Sequence, residues 1–250
     1  MLDFFGNDIT AVWIDLDDTI IDFKANSRNA LARLYLDENL DSLFESENDW
    51  INLYECHNYE LWRLYAEGEI DQPTLRMERF RRPLCERGAS DIIARQLSSH
   101  LDTVYLDRLA EGTILIDGAL ELLDYIRMSG VKTGILSNGF RDVQHRKIRN
   151  AGLEPYFDFV VLSDDAGFTK PDPKIFEYAM AVGGETDPGS QLMIGDNRQT
   201  DICGAMGAGW NAIMLDRSLP LMSTSGRGHY VVSSLGYIPR ILTPLSYDRQ

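Results

Sequence analysis

The run Asp15-Leu16-Asp17-Asp18-Thr19 puts three carboxylates within four positions. It closes Val12–Leu16, an apolar segment with β-branched and aromatic bias that reads as a strand ending in acid. In open α/β sheets, ligands bind beyond the carboxyl ends of the strands. If the chain stays extended, Asp15 and Asp17 point the same way. Crowded carboxylates need a cation or a shared proton. A divalent ion with oxygen ligands, Mg2+, meets that need. The competing reading of the motif alone is a solvated acidic turn.

Three later runs add complementary groups. Ser137-Asn138-Gly139 ends a second strand, where a hydroxyl can donate to a phosphoryl oxygen and a glycine lets backbone amides approach an anion, although Ser-Asn-Gly is also a common turn. Lys170 stands between Thr169 and Pro171-Asp172-Pro173, just before a helix. There it can neutralise charge on a transferring phosphoryl group, or be a surface lysine. The run Gly195-Asp196-Asn197-Arg198-Gln199-Thr200-Asp201 again delivers carboxylates to a strand end. Asp196 would complete a metal site with Asp15 and Asp17, and Asp201 would orient the ligands or cap the next helix.

Positioning these groups takes a set of short buried strands. Lys132–Ser137, Phe159–Ser163, Leu192–Gly195, Ala212–Leu215 and Tyr230–Val232 join the first, with helices between them. Leu122, Leu123 and Ile126 form one helical face that stops at Gly130. Asp172 reads as an N-cap with Pro173 at the first helical position, and Gly183 ends that helix. The alternation predicts an α/β fold with a doubly wound, Rossmann-like parallel sheet. Residues 23–112 break the pattern with helical segments at Asn29–Leu36, Trp50–Glu67, Gln72–Glu86 and Asp91–Leu109. The expected organisation is a core of residues 1–22 and 113–250 interrupted by an all-helical insertion.

The order and spacing of the four motifs resemble the haloacid dehalogenase superfamily, and the insertion after the first motif looks like its C1-type cap domain. The resemblance implies an Mg2+-dependent phosphate monoester hydrolase. Asp15 would attack phosphorus, and Asp17 would be general acid and base. Asp15, the Asp17 carbonyl and Asp196 would hold the metal, with Asp201 behind them. Ser137 and Lys170 would stabilise the phosphoryl oxygens. Thr19, Asn138, Gly139, Asn197, Phe23 and Phe140 are the remaining candidates for substrate contact. Haloacid dehalogenases in the strict sense lack an acid equivalent to Asp17, which favours phosphoryl chemistry. The runs Gly134–Phe140, Ser163–Pro171 and Gly195–Asn197 look most like the pyrimidine 5′-nucleotidase branch. A sugar phosphomutase and a phosphoglycolate-type phosphatase share the core motifs, and a non-catalytic phosphometabolite sensor is the rival from another class.

The rest of the chain narrows the setting. A net charge of −15 over 250 residues argues against nucleic acid or an anionic membrane as partner. The expected partner is a small phosphorylated metabolite, bound by a monomer or weak homodimer. No apolar run reaches membrane-spanning length, the N-terminus lacks a secretory pattern, and Cys56, Cys85 and Cys203 form no CxxC pair, so a cytoplasmic setting is expected. In the insertion, Trp50, Tyr54, Tyr59, Trp62 and Tyr65 read first as a small helical core and only second as a stacking surface. His145, in a run with Arg146, Lys147 and Arg149, reads as a surface residue.

Overall fold

Val12 and Ile14 turn to one face of a central strand and Ala11 and Trp13 to the other, and all four are buried. That alternation makes the segment the middle of a sheet covered on both sides. The computed structural model describes residues 2–4, 6–219, 223–226 and 229–244. Its strands are β1 (Leu2–Phe4), β2 (Asn7–Ile9), β3 (Ala11–Ile14), β4 (Lys132–Ser137), β5 (Phe159–Leu162), β6 (Gln191–Gly195), β7 (Asn211–Leu215), β8 (Ser223–Gly226), β9 (His229–Val232) and β10 (Thr243–Pro244). The main sheet runs β5-β4-β3-β6-β7-β9-β8; all neighbours are parallel except β8, which pairs antiparallel with β9. A small antiparallel sheet joins β10, β1 and β2.

The helices are α1 (Phe23–Asp37), α2 (Glu47–Ala66), α3 (Gln72–Glu86), α4 (Asp91–Ala110), α5 (Ala119–Ser129), α6 (Arg141–Asn150), α7 (Ser163–Ala166), α8 (Pro173–Val182), α9 (Gly204–Gly207) and α10 (Ile238–Ile241). Leu122, Leu123 and Ile126 of α5 join the core on the Val12–Ile14 face. Ile175, Phe176 and Ala179 of α8 join the core on the Trp13 face. Helices on both faces make the sheet doubly wound, as expected. Trp13 fills its side of the sheet and donates to Gln191 Oε1 at 3.1 Å. It lies so close to Gly134 that a β-carbon there would collide with its ring.

The chain divides into two compact units, Met1–Phe23 with Thr113–Gln250, and Lys24–Gly112. The second unit is helical. Ser46, Asp71 and Ser90 cap α2, α3 and α4 by accepting from the backbone N–H three residues on. Its interior is aromatic: Trp50 meets Phe44 edge to face with ring centroids 5.0 Å apart, and Tyr54 lies 5.0 Å from Phe80 and 5.3 Å from Tyr105. Arg79 and Asp102 form a buried ion pair beside these rings. Trp50 and Tyr54 therefore pack as core, while Tyr59 is 79% exposed.

Several boundaries shift. The first strand begins at Ala11 and stops at Ile14, because residues 16–21 fold into a turn: Ile20 and Ile21 donate to Leu16 O, and Asp18 takes a left-handed conformation with φ 57°. Ser163 starts α7 instead of ending β5. The first helix of the insertion runs from Phe23 to Asp37, longer than Asn29–Leu36, its polar Asn26 and Ser27 being buried.

Candidate active site

β3, β4 and β6 lie side by side, with Ile14 in register with Ile135 and with Ile194. Their carboxyl ends therefore bring Asp15, Ser137 and Asp196 to one edge of the sheet. Asp15 is the first residue past β3 and is anchored there by its N–H to Ile194 O at 2.9 Å. Carboxylate oxygens of Asp15, Asp196 and Asp201 lie within 4.8 Å of one another.

Lys170 threads into this cluster and is 1% exposed. Its ammonium donates to Asp15 Oδ1 at 2.7 Å, Asp201 Oδ1 at 2.6 Å and Leu136 O at 2.7 Å. All three donors are thus taken by protein oxygens, so the lysine aims Asp15 and Asp201 as well as bringing charge to the site. Burial opposes its charge, yet Asp15 and Asp201 hold it protonated above the usual lysine range. Asn138 fixes the lysine's loop: its Nδ2 donates to Lys170 O at 2.9 Å, and its Oδ1 accepts from Lys170 N at 2.8 Å. That reciprocal pair uses the amide that was expected to face a substrate.

Asp201 accepts from Lys170 on one oxygen and from Asn197 N on the other, at 3.0 Å. The cap of the following helical turn is Asn197, whose Oδ1 accepts from Gln199 N and Thr200 N. The N-cap expectation for Asp201 is corrected accordingly, because its carboxylate is buried inside the turn Arg198–Cys203. Asp201 fits there because residue 195 is glycine; a β-carbon at 195 would collide with its carboxylate. Thr19 is fully buried and donates to Asp196 Oδ1 at 3.4 Å, steadying that carboxylate.

Asp17 goes elsewhere. The turn after Ile14 separates it from Asp15, so the two side chains do not share one cluster as an extended chain would have it. Asp17 Oδ1 accepts from Lys147 Nζ at 2.7 Å and Oδ2 accepts from Gln144 Nε2 at 3.0 Å. Gln144 Nε2 also donates to Ser137 Oγ at 2.7 Å, and Gly139 N donates to the same oxygen at 3.1 Å. Both of these bonds are accepted by the hydroxyl, whose own proton is left to donate. Gly139 makes room for the Gln144 side chain, which a β-carbon would strike. Phe23 is half-buried with its ring centroid 5.0 Å from Lys147 Nζ, and Phe140 is buried at the start of α6.

Gln144 and Lys147 escape a reading by motif. Lys147 sits among Arg146 and Arg149, and His145 beside them is exposed as expected. The signal lies in helical spacing: Phe140, Val143, Gln144, Lys147 and Ile148 are the buried residues of this stretch and share one face.

The electrostatics ask for more positive charge than Lys170 supplies. Burial, then Asp201 and Asp196, lift Asp15 well above the usual carboxylate range against the pull of Lys170. Burial, Asp201 and Asp18 push Asp196 up to about 7. Three converging carboxylates with hard oxygen donors are the set a divalent cation such as Mg2+ prefers, and its charge would relieve their repulsion. The residues present fit that ion.

A hydrolytic site at the carboxyl edge of a doubly wound sheet is the class these features define. The haloacid dehalogenase-like hydrolase family matches residues 9–209. The pyrimidine 5′-nucleotidase YjjG of Escherichia coli is 33% identical over 198 residues, spanning 79% of this chain and 82% of that protein. The N-acylneuraminate-9-phosphatase of Mus musculus is 29% identical over 239 residues, 94% of each. The crystal structure of the HAD-hydrolase YfnB from Bacillus subtilis, bound to magnesium, superposes with a TM-score of 0.80 at 29% identity, covering 94% of this chain and 98% of that one. The chain belongs to the haloacid dehalogenase-like hydrolase family and is an enzyme of the phosphatase kind within it. No helix among the described residues is long and apolar enough to cross a membrane.

Proposed function

We propose that the protein hydrolyses phosphate monoesters of small metabolites, with Mg2+ as cofactor and Asp15 as nucleophile. The observation that carries this reading is the Asp15 carboxylate held at 2.7 Å by a buried lysine within a cluster of three acids. Asp15 attacks phosphorus as the leaving oxygen departs with the proton of Asp17. Asp17 then takes a proton from water, which attacks the aspartyl-phosphate and releases Asp15 and inorganic phosphate. Ser137 donates its free hydroxyl proton to a phosphoryl oxygen, and Lys170 keeps Asp15 aimed. Mg2+, held by Asp15, Asp196 and the Asp17 carbonyl with Asp201 behind them, would neutralise charge on the phosphoryl group.

A pyrimidine nucleoside 5′-monophosphate is the substrate we favour. The Gly134–Phe140 and Ser163–Pro171 runs and the similarity to YjjG support it. The helical unit would serve as the C1-type cap. Unbridged Cys56, Cys85 and Cys203 suit a reducing cytoplasm.

Hydrolysis of p-nitrophenyl phosphate, followed by a panel of nucleoside monophosphates, sugar phosphates and phosphoglycolate, tests both levels. Turnover should require Mg2+ and vanish with chelator. Turnover indifferent to chelation and to Asp15→Asn would sink the mechanism. A sugar phosphate turned over with the highest kcat/KM would overturn the substrate.

A further inference from the structure

The carboxylate of Asp17 is gripped at both oxygens from one face of α6. Lys147 is 2% exposed, yet the carboxylate it meets is 27% exposed. A lysine withdrawn this far from water needs a compensating partner, and an exposed acid does not need a buried one. Gln144 is wholly buried and its Oε1 has no hydrogen-bond partner among the described residues, while its Nε2 serves Asp17 Oδ2 and Ser137 Oγ. An orphaned buried carbonyl lowers stability, and an apolar side chain would avoid that cost. The donors of Gln144 explain its presence, since both go to residues of the site.

We propose that Lys147, seconded by Gln144, is the positioning residue of the general acid. It rests on the phosphatase reading above. In the first step the bond from Asp15 to phosphorus forms, the bond from phosphorus to the leaving oxygen breaks, and the proton passes from Asp17 to that oxygen. The carboxylate left behind faces the Lys147 ammonium, which stabilises it and keeps its orientation. Lys147 transfers no proton and acts only through Asp17.

Leaving-group dependence separates this role from a structural one. The ratio kcat/KM covers events only as far as departure of the leaving group, so it excludes the later attack of water. A dinitrophenyl ester leaves as a stable anion and needs no proton, whereas an alkyl phosphate needs one. Lys147→Met should lower kcat/KM about 100-fold on the alkyl phosphate that the wild type turns over fastest, and at least tenfold less on dinitrophenyl phosphate. Lys147→Arg should recover to within roughly tenfold of wild type on the alkyl ester. In an Asp17→Asn background, Lys147→Met should add less than about threefold. Equal losses on both esters, or full additivity with Asp17→Asn, overturn the proposal. If thermal denaturation shows that Lys147→Met is unfolded, Gln144→Met and Lys147→Arg are judged by the same ester ratio. A wild type inert toward both esters would instead bring down the phosphatase reading.

Discussion

Lys170 Nζ and Asp15 Oδ1 meet at 2.7 Å across 155 residues of sequence, both nearly sealed from solvent. The pair fixes the orientation of Asp15 before any substrate arrives. Replacing the lysine by methionine would leave Asp15 and Asp201 buried without their counter-ion. We expect Lys170→Met to cost about 3–5 kcal/mol in denaturant unfolding. A loss under 1 kcal/mol would mean that the carboxylates are already neutral there.

Asp15→Asn keeps the shape and removes the charge of the proposed nucleophile. Turnover should fall by roughly three orders of magnitude or more, without loss of fold by circular dichroism. Incubation with substrate and rapid acid quench should trap phosphate on the wild type and none on the variant.

With Mg2+ bound as proposed, metal and protons would compete for Asp196. Its folded value of about 7 lies above the unfolded one, so the folded state binds more protons in that interval. The stability it lends to the metal-free protein is full below about pH 4 and is lost as pH rises through about 7. Mg2+ takes the ionised form, so its stabilising effect runs the other way and grows over the same window. The rise in melting temperature produced by millimolar Mg2+ should increase from acid to neutral pH. Asp196→Asn should flatten that trend, and a pH-independent increment in the wild type would refute it.

Gly195→Ala drives a methyl group into Asp201. The carboxylate must shift, and the Lys170 contact shifts with it. About 1–3 kcal/mol of stability should be lost. Turnover should drop by roughly 10- to 100-fold as Asp15 loses its aim. Steady-state kinetics on the folded variant decides the second point.

The aromatic residues of the helical unit divide sharply. Trp50 is fully buried and Tyr59 is 79% exposed. Trp50→Ala should cost about 3–5 kcal/mol. Tyr59→Ala should stay within about 0.5 kcal/mol. Comparable losses in urea titrations would contradict the packing described.

Strand ends were the legible part of this chain. Val12–Ile14, Ile135–Ser137 and Leu192–Gly195 announce buried parallel strands by composition, and the residue types just beyond them announce phosphoryl chemistry. Local signals do not carry long-range pairing. The reciprocal amide bonds between Asn138 and Lys170 span 32 residues, and nothing near Asn138 foretells them. The strand stops at Ile14 and the chain turns from Leu16 onward, so the rule that residues two apart share a direction does not carry from Asp15 to Asp17. Lys147 was hidden by its neighbours: in a run of Arg and Lys, hydropathy reads surface, and only the spacing from Phe140 and Val143 reveals the buried face.

The catalytic unit is discontinuous, built from Met1–Phe23 and Thr113–Gln250, and this bears on the order of synthesis. Asp15 emerges from the ribosome well before its sheet neighbours: β4 and β6, which flank its strand, come more than a hundred residues later. The contiguous helical unit is complete long before then. Until Asp201 has been made, the acidic cluster around Asp15 lacks one carboxylate, and Lys170 lacks one of its two carboxylate partners. A nascent chain stopped short of that point carries Asp15 with an incomplete acidic cluster, so the site is assembled only once residue 201 has been made.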